Sequence, residues 1–152
     1  MSQTLPDTPA AIARLIPHQG RMCLLDAVLA CTPPHIRCRA SSHRRPDHPL
    51  RVDGVLHAPV ALEYAAQACA LHGALHARPG VQGRPGFLAS ARGLHLLVPR
   101  LDTIDGDLQV EAWHLAGGER EAMYRFELRD AQGRLLVDGR ATVVLDTPIA
   151  TA

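Results

Sequence analysis

Glu63 is the carboxylate around which this chain's possible chemistry gathers. It stands early in the run GVLHAPVALEYAAQACALHGAL (54–75), which carries no Lys, Arg, Asp or Glu between Tyr64 and Leu75. A helix that is apolar on nearly every face is usually buried on nearly every face. An ionisable group in it is costly to bury unless it is paired, hydrogen-bonded or used. The simplest competing role is a helix-terminal charge, worth about 0.3–1 kcal/mol for an acid near the N-terminus. One turn further on, Gln67 reads as a buried hydrogen-bonding residue that holds a loop. His72 and His76 share the same four-residue spacing, which is able to bind zinc. No adjacent acid or third ligand is evident for them, so they are expected to pack in the core or at an interface, and no metal is assigned.

The elements that must position these groups can be read from punctuation and period. The central helix runs from about Pro59 to His76, with Pro59 suited to a first-turn position. Before it, residues 1–8 read as a frayed lead-in and Pro9 to Leu15 as a short helix ended before Pro17. Met22 to Ala30 reads as a buried strand, and Ile36 to Ser42 alternates as a strand with one wet face. Residues 44–54 form a loop punctuated by Pro and Asp, and 77–86 a connector rich in Gly and Pro. Strands are then expected over Phe87–Leu97, Asp107–His114, Met123–Asp130 and Arg134–Leu145. Gly117-Gly118 and Gln132-Gly133 mark hairpins, and 147–152 should fray. This order predicts an α+β fold, an antiparallel sheet curled around one long helix, in a single domain over 1–152.

Composition narrows the function classes. A net charge of +1 with mixed signs argues against a nucleic-acid surface or a polybasic membrane patch. No apolar run approaches the ~20 residues of a membrane span, and the polar N-terminus has no signal-peptide segment. Cys23, Cys31, Cys38 and Cys69 lack C-x-x-C spacing, so reduced thiols and a cytoplasmic location are expected. At 3% aromatic residues, the core falls to Leu, Val and Ala. An Ala-rich helix with so few aromatics suggests a narrow apolar channel beside Glu63.

Three stretches together resemble the hot-dog-fold β-hydroxyacyl-acyl-carrier-protein dehydratases, and more closely the divergent dehydratase-like proteins of aryl-polyene and related pigment clusters. PHQGRMCLLDAV (17–28) is similar to an early P-H-x-x-P-h-L-L-h-D signature, with Arg21 where Pro is usual. LEYAAQACA (62–70) matches a helix segment in which an acid is followed by Gln, here Glu63 and Gln67. PGFLASARGLHLLVPRLDTIDGDLQVEAWHLAG (85–117) resembles the strand, basic residue and turn that precede the outer strands.

The resemblance implies a hot-dog dimer, homomeric or heteromeric, with active sites between protomers. In each site a loop His works with the helix acid of the partner. The acid maps onto Glu63. The H-F-P-G loop is replaced by the longer SSHRRPDHPLRVDG (41–54), and His43, at the strand end, is the first candidate for the His. His48 and His57 are the alternatives, while His18 in PHQG reads as packing a turn. Gln67, Arg44, Arg45 and Arg92 are the candidates for facing the substrate or the acidic carrier.

The implied reaction removes water from a 3-hydroxyacyl thioester carried on the phosphopantetheine of an acyl carrier protein. It needs no metal or redox cofactor. A His near neutral pKa can take the C2 proton, and a carboxylic acid with a pKa raised by desolvation can protonate the departing hydroxyl. Free N–H groups at the start of the central helix are the expected donors to the thioester oxygen. Two other readings stand beside this one: a partner subunit that lends Glu63 and a docking surface to an active hot-dog protein, and a hot-dog acyl thioesterase.

Overall fold

The computed structural model describes residues 4–76, 86–118 and 120–145. Two α-helices, α1 (Pro9–Ala13) and α2 (Ala61–Leu75), accompany six strands: β1 (Ala27–Thr32), β2 (His35–Ala40), β3 (Gly86–Leu96), β4 (Leu108–Gly117), β5 (Glu121–Arg129) and β6 (Leu135–Leu145). The strands form one sheet in the order β1-β2-β4-β5-β6-β3, with every pairing antiparallel. α2 packs against β2 to β6, so the sheet wraps the helix as in the expected hot-dog arrangement.

Period-two alternation places the core between sheet and helix. Tyr124, Phe126 and Leu128 of β5 turn inward, as do Leu108, Val110 and Ala112 of β4. They meet Ala61, Tyr64, Ala65, Ala68 and Leu71 of α2, all fully buried. The small helix residues let the sheet approach closely, which partly replaces the bulk that aromatics would have supplied. The outer face is charged. Arg37, Glu111, Glu127 and Asp138 stand in one cross-strand row. Its three neighbouring acids would repel one another, and Glu127 is paired with Arg125 and Arg129, Glu111 with His35 and Asp138 with His95. In the next row the Arg125 guanidinium lies 4.0 Å from the centre of the Trp113 ring.

Two apolar surfaces remain incompletely covered. On α2 the stripe Leu62, Ala66, Ala70 and Ala74 is only half-buried. At the sheet edge, β3 pairs with β6 alone and exposes Leu88 and Leu96. Gly93 has a left-handed φ of +58° within a register shift of β3 between Arg92 and His95. A glycine takes that backbone conformation without the Cβ penalty.

Several boundaries depart from the sequence expectation. β1 begins at Ala27 instead of Met22, because Gly20 (φ +60°) starts a short 3₁₀ turn through Met22. The Met22 carbonyl and the Leu24 N–H then bond the Gln67 side chain and not a neighbouring strand. α2 starts at Ala61, after a 3₁₀ turn over Ala58–Val60. The lead-in is not frayed over residues 5–8. The Pro6 carbonyl accepts from Val28 N at 2.8 Å, Leu5 packs on the core, and Thr8 Oγ1 caps α1 by accepting from Ala11 N. The expected frayed end at 147–152 and all of the connector except Gly86 lie outside the described residues. All four cysteines are free thiols, and no helix among the described residues is long and apolar enough to cross a membrane.

Candidate active site

Two glutamine side chains set the segment that faces Glu63. Gln19 Nε2 donates to the Ala13 carbonyl at 2.7 Å and ties the 16–20 segment to the end of α1. Gln67 is fully buried in α2. Its Oε1 accepts from Leu24 N at 2.9 Å, while its Nε2 donates to Met22 O at 2.7 Å and reaches Glu63 Oε1 at 3.4 Å. Between these anchors the chain lays His18 over the first turn of α2. His18 Nε2 stands 2.9 Å from Glu63 Oε1, with both side chains partly open to solvent. His18 Nδ1 is buried and has no hydrogen-bond partner among the described residues.

The electrostatics reverse one expectation. The hydrogen bond from His18 holds the Glu63 carboxyl below its ordinary pKa, and Gln67 adds to it. Burial acts the other way and is outweighed. Glu63 is therefore an ionised carboxylate at neutral pH, not an acid kept protonated by desolvation. Both contacts fall on Oε1, and Oε2 has no partner among the described residues. The pair is thus a carboxylate braced by an imidazole N–H, with one oxygen available to receive a proton.

Free N–H donors expected at the helix start are taken up by the 3₁₀ turn. Val60 N bonds His57 O, and Ala61 N bonds the carbonyls of Ala58 and Pro59.

Within the chain, none of the three loop histidines bonds Glu63; the expected contact is one made across a dimer. His43 is fully buried and directs Nε2 at the Ile104 carbonyl, 3.0 Å away. Burial lowers its pKa, so the ring is neutral, with its other nitrogen enclosed and unpartnered. The bond to Ile104 pins the turn after β2. His48 is also buried. Its Nδ1 accepts from Leu50 N at 3.1 Å, which puts the proton on Nε2, and Nε2 then donates to Tyr64 Oη at 3.1 Å. Tyr64 Oη bonds Ser42 Oγ at 2.7 Å, and Ser42 Oγ donates to Leu24 O at 2.8 Å. This relay joins the long loop, α2 and the His18 segment. His57 is exposed, in an isolated bridge with Arg100.

The long loop is further held by Arg51, a residue whose role the sequence did not reveal. Its guanidinium donates to the carbonyls of Arg45, Gly54 and His43 and lies 3.7 Å from Asp102. Asp102 also accepts from Arg100 and from Leu56 N, and its carboxyl is held well below the usual range, chiefly by Arg100. The loop that replaces H-F-P-G is therefore fixed from within, by one cation reading several carbonyls.

Gln67 proves to be a positioning residue. It is fully buried, and its amide holds the Leu24 N–H and the Met22 carbonyl. Arg44 and Arg45 are exposed on the loop, pairing with Asp107 and Asp47. Arg92 is exposed on β3, in register with Arg140. The histidine that reaches the carboxylate within the chain is His18, which from sequence could enter the site but reads more readily as packing a turn. The signal lay in the same P-H signature that carried the resemblance, but nothing in the sequence placed the turn over α2.

The sequence matches the ApeP-like family model, described as ApeP dehydratase, over residues 10–151. A comparison with curated proteins returned no match. Among solved structures, the chain is similar to one in the dehydratase heterocomplex ApeI:P from Xenorhabdus doucetiae. The two are 24% identical with a TM-score of 0.76, over 96% of this chain and 94% of that one. It is also similar to zebra fish thioesterase superfamily member 2, at 19% identity and a TM-score of 0.63, over 91% of this chain and 93% of that one. A thioesterase from Haemophilus influenzae aligns at 17% identity and a TM-score of 0.57, over 82% of this chain and 80% of that one. These likenesses carry the hot-dog fold, whereas the family match carries the dehydratase affiliation.

Proposed function

Since the chain belongs to the ApeP-like dehydratase family, we propose that it acts in the removal of water from a 3-hydroxyacyl group carried on the phosphopantetheine of an acyl carrier protein. The product would be a 2,3-unsaturated thioester, on the way to a polyene, an aryl polyene or a fatty-acid-like chain. The observation that supports this most strongly is the His18–Glu63 pair, 2.9 Å apart on the first turn of α2.

Elimination needs a base for the C2 proton and a proton for the C3 oxygen. Glu63 Oε2 is the base in this reading, with His18 Nε2–H steadying the negative charge on Oε1. The protonated pair then returns a proton to the C3 hydroxyl as the carbon–oxygen bond breaks. Water leaves, the C2–C3 double bond forms, and the pair is back in its starting state. His18 thereby takes the place that the family resemblance offered to His43.

Assembly follows from the uncovered surfaces. A dimer that joins β3 edges and brings the Leu62–Ala74 stripe against a partner would remove both from water. An acyl channel beside Glu63 would lie near that interface, with Arg44, Arg45 and Arg92 available to meet an acidic carrier.

A second reading has its own observation. Both buried histidines of the long loop, His43 and His48, are turned inward and neutral. A chain whose 41–54 loop presents no exposed imidazole suits the role of partner subunit, pairing with a second hot-dog dehydratase that brings one. The likeness to a chain of a dehydratase heterocomplex supports pairing of this kind. The thioesterase reading draws on fold likeness alone.

The deciding assay offers a 3-hydroxyacyl carrier protein to the isolated chain and to the chain mixed with a second hot-dog dehydratase, following loss of water by mass spectrometry. Turnover by the isolated chain supports the self-sufficient enzyme. Turnover only in the mixture, above that of the second protein alone, supports the partner reading. No contribution in either format overturns the proposal.

A further inference from the structure

The far end of α2 carries a group that the dehydratase reading does not use. Cys31 of β1, His72 of α2 and His76, which caps the C-terminus of α2, bring one sulfur and two ring nitrogens within 4.8 Å of one another. Cys31 Sγ and His76 Nε2 are already 3.4 Å apart. His72 lies nine positions beyond Glu63, about 14 Å along a helix at 1.5 Å per residue, so this is a place distinct from the acid–base pair.

We propose that Cys31, His72 and His76 form a binding site for a borderline-soft divalent transition-metal ion, with Zn²⁺ the ion it suits best. One thiolate with two imidazoles disfavours Mg²⁺ and Ca²⁺, which take oxygen ligands. Tetrahedral zinc, with bonds of about 2.0–2.3 Å, sets its ligand atoms roughly 3.3–3.8 Å apart. Closing the trio onto an ion therefore takes only small side-chain movements. His76 is exposed, which gives the ion a route in and leaves the fourth position to water.

The hydrogen bonds show how the site would load. His72 Nε2 and His76 Nε2 both converge on the Thr32 carbonyl, at 2.8 and 2.9 Å. Without metal, each Nε2 carries the hydrogen, and His72 Nδ1 accepts from Tyr124 Oη at 2.8 Å. With metal on Nε2, each ring moves its proton to Nδ1. His72 Nδ1–H then donates to Tyr124 Oη, whose hydroxyl hydrogen turns away, so Tyr124 orients the liganding ring in both states. Cys31 gives its thiol proton to solvent, so one proton is released per ion bound. The ion would tie the last turn of α2 to the end of β1.

Co²⁺, read by its absorption spectrum and competed with Zn²⁺, is the probe for the purified full chain. The expected result is one Co²⁺ per chain, with visible bands of tetrahedral intensity and a near-ultraviolet thiolate-to-cobalt band, all erased by Zn²⁺. Cys31→Ala should lose the thiolate band. His76→Ala, at an exposed position, should weaken binding by at least the ~10–100-fold seen when only a supporting residue is lost. Circular dichroism checks that both variants keep the fold. A parent protein that gives no thiolate band, or either variant binding Co²⁺ like the parent, overturns the site.

Discussion

Tyr64 Oη and Ser42 Oγ lie 2.7 Å apart in the interior, the middle link of a relay whose hydrogen-bond direction is fixed at both ends. Leu50 N–H donates to His48 at one end, and Ser42 donates to the Leu24 carbonyl at the other. Tyr64→Phe would leave His48 Nε2–H buried without an acceptor, at a cost of about 1–3 kcal/mol. Urea unfolding should show that loss. Adding Ser42→Ala should cost less in the Tyr64→Phe background than in the parent, because the two hydroxyls share one link. Full additivity in the double-mutant cycle would contradict the relay.

Gln67 should matter to stability before it matters to chemistry. Gln67→Leu keeps much of the volume but strips partners from the buried Leu24 N–H and from the Met22 carbonyl. Each orphaned group costs about 1–3 kcal/mol, so the urea midpoint should fall well below that of the parent. The 18–26 segment should also lose amide-exchange protection. A variant with unchanged midpoint and protection would mean that Gln67 does not hold the His18 segment.

Stability should depend on pH through Glu63 in a definite direction. Its pKa is lower in the folded chain than in the unfolded one. The carboxylate therefore contributes stability that is fully present above the unfolded value, near pH 4 for an ordinary glutamate, to the nearest unit. That contribution is lost as pH falls through the folded value. Urea titrations of the parent and of Glu63→Gln should show a stability advantage of the parent at pH 6 that shrinks steadily toward pH 3. A difference that stays constant, or grows on acidification, would mean that Glu63 is not held ionised by His18.

The fold was legible because its signals are local or periodic. The uncharged run after Glu63 marks α2, the alternation in Met123–Asp130 marks β5, and Gly117-Gly118 and Gln132-Gly133 mark hairpins. Glu63 was legible for a related reason, since a lone carboxylate in such a helix needs an explanation. The choice of histidine was not legible. His18, His43, His48 and His57 all lie close enough in sequence to α2 to reach it. Which one does depends on two glutamine side chains and on one arginine reading several carbonyls across a loop. Cys31 escaped for the same reason, because only the antiparallel return of β1 brings it to His72 and His76.

The isolated protein should not be a monomer. Light scattering is expected to give about twice the 16.4 kDa chain mass, or a two-chain complex when a hot-dog partner is supplied. Replacing Leu88 and Leu96 of the β3 edge by Lys should lower that mass toward the monomer. A well-folded parent that stays monomeric at micromolar concentration, alone and with partners, would refute the proposed assembly.

The most direct measurement compares Glu63→Gln and His18→Gln with the parent on a 3-hydroxyacyl carrier substrate, in whichever format, alone or paired, supports turnover. Glu63→Gln keeps the shape and loses the titrating carboxylate, so kcat should fall by the ~10²–10⁴-fold attributed to a positioned acid–base group. His18→Gln should bring a comparable loss, while His43→Gln should act on stability and leave kcat of the folded enzyme close to the parent's. If Glu63→Gln and His18→Gln fold, assemble and turn over like the parent, the pair is only a helix-terminal contact, and dehydration does not run through it.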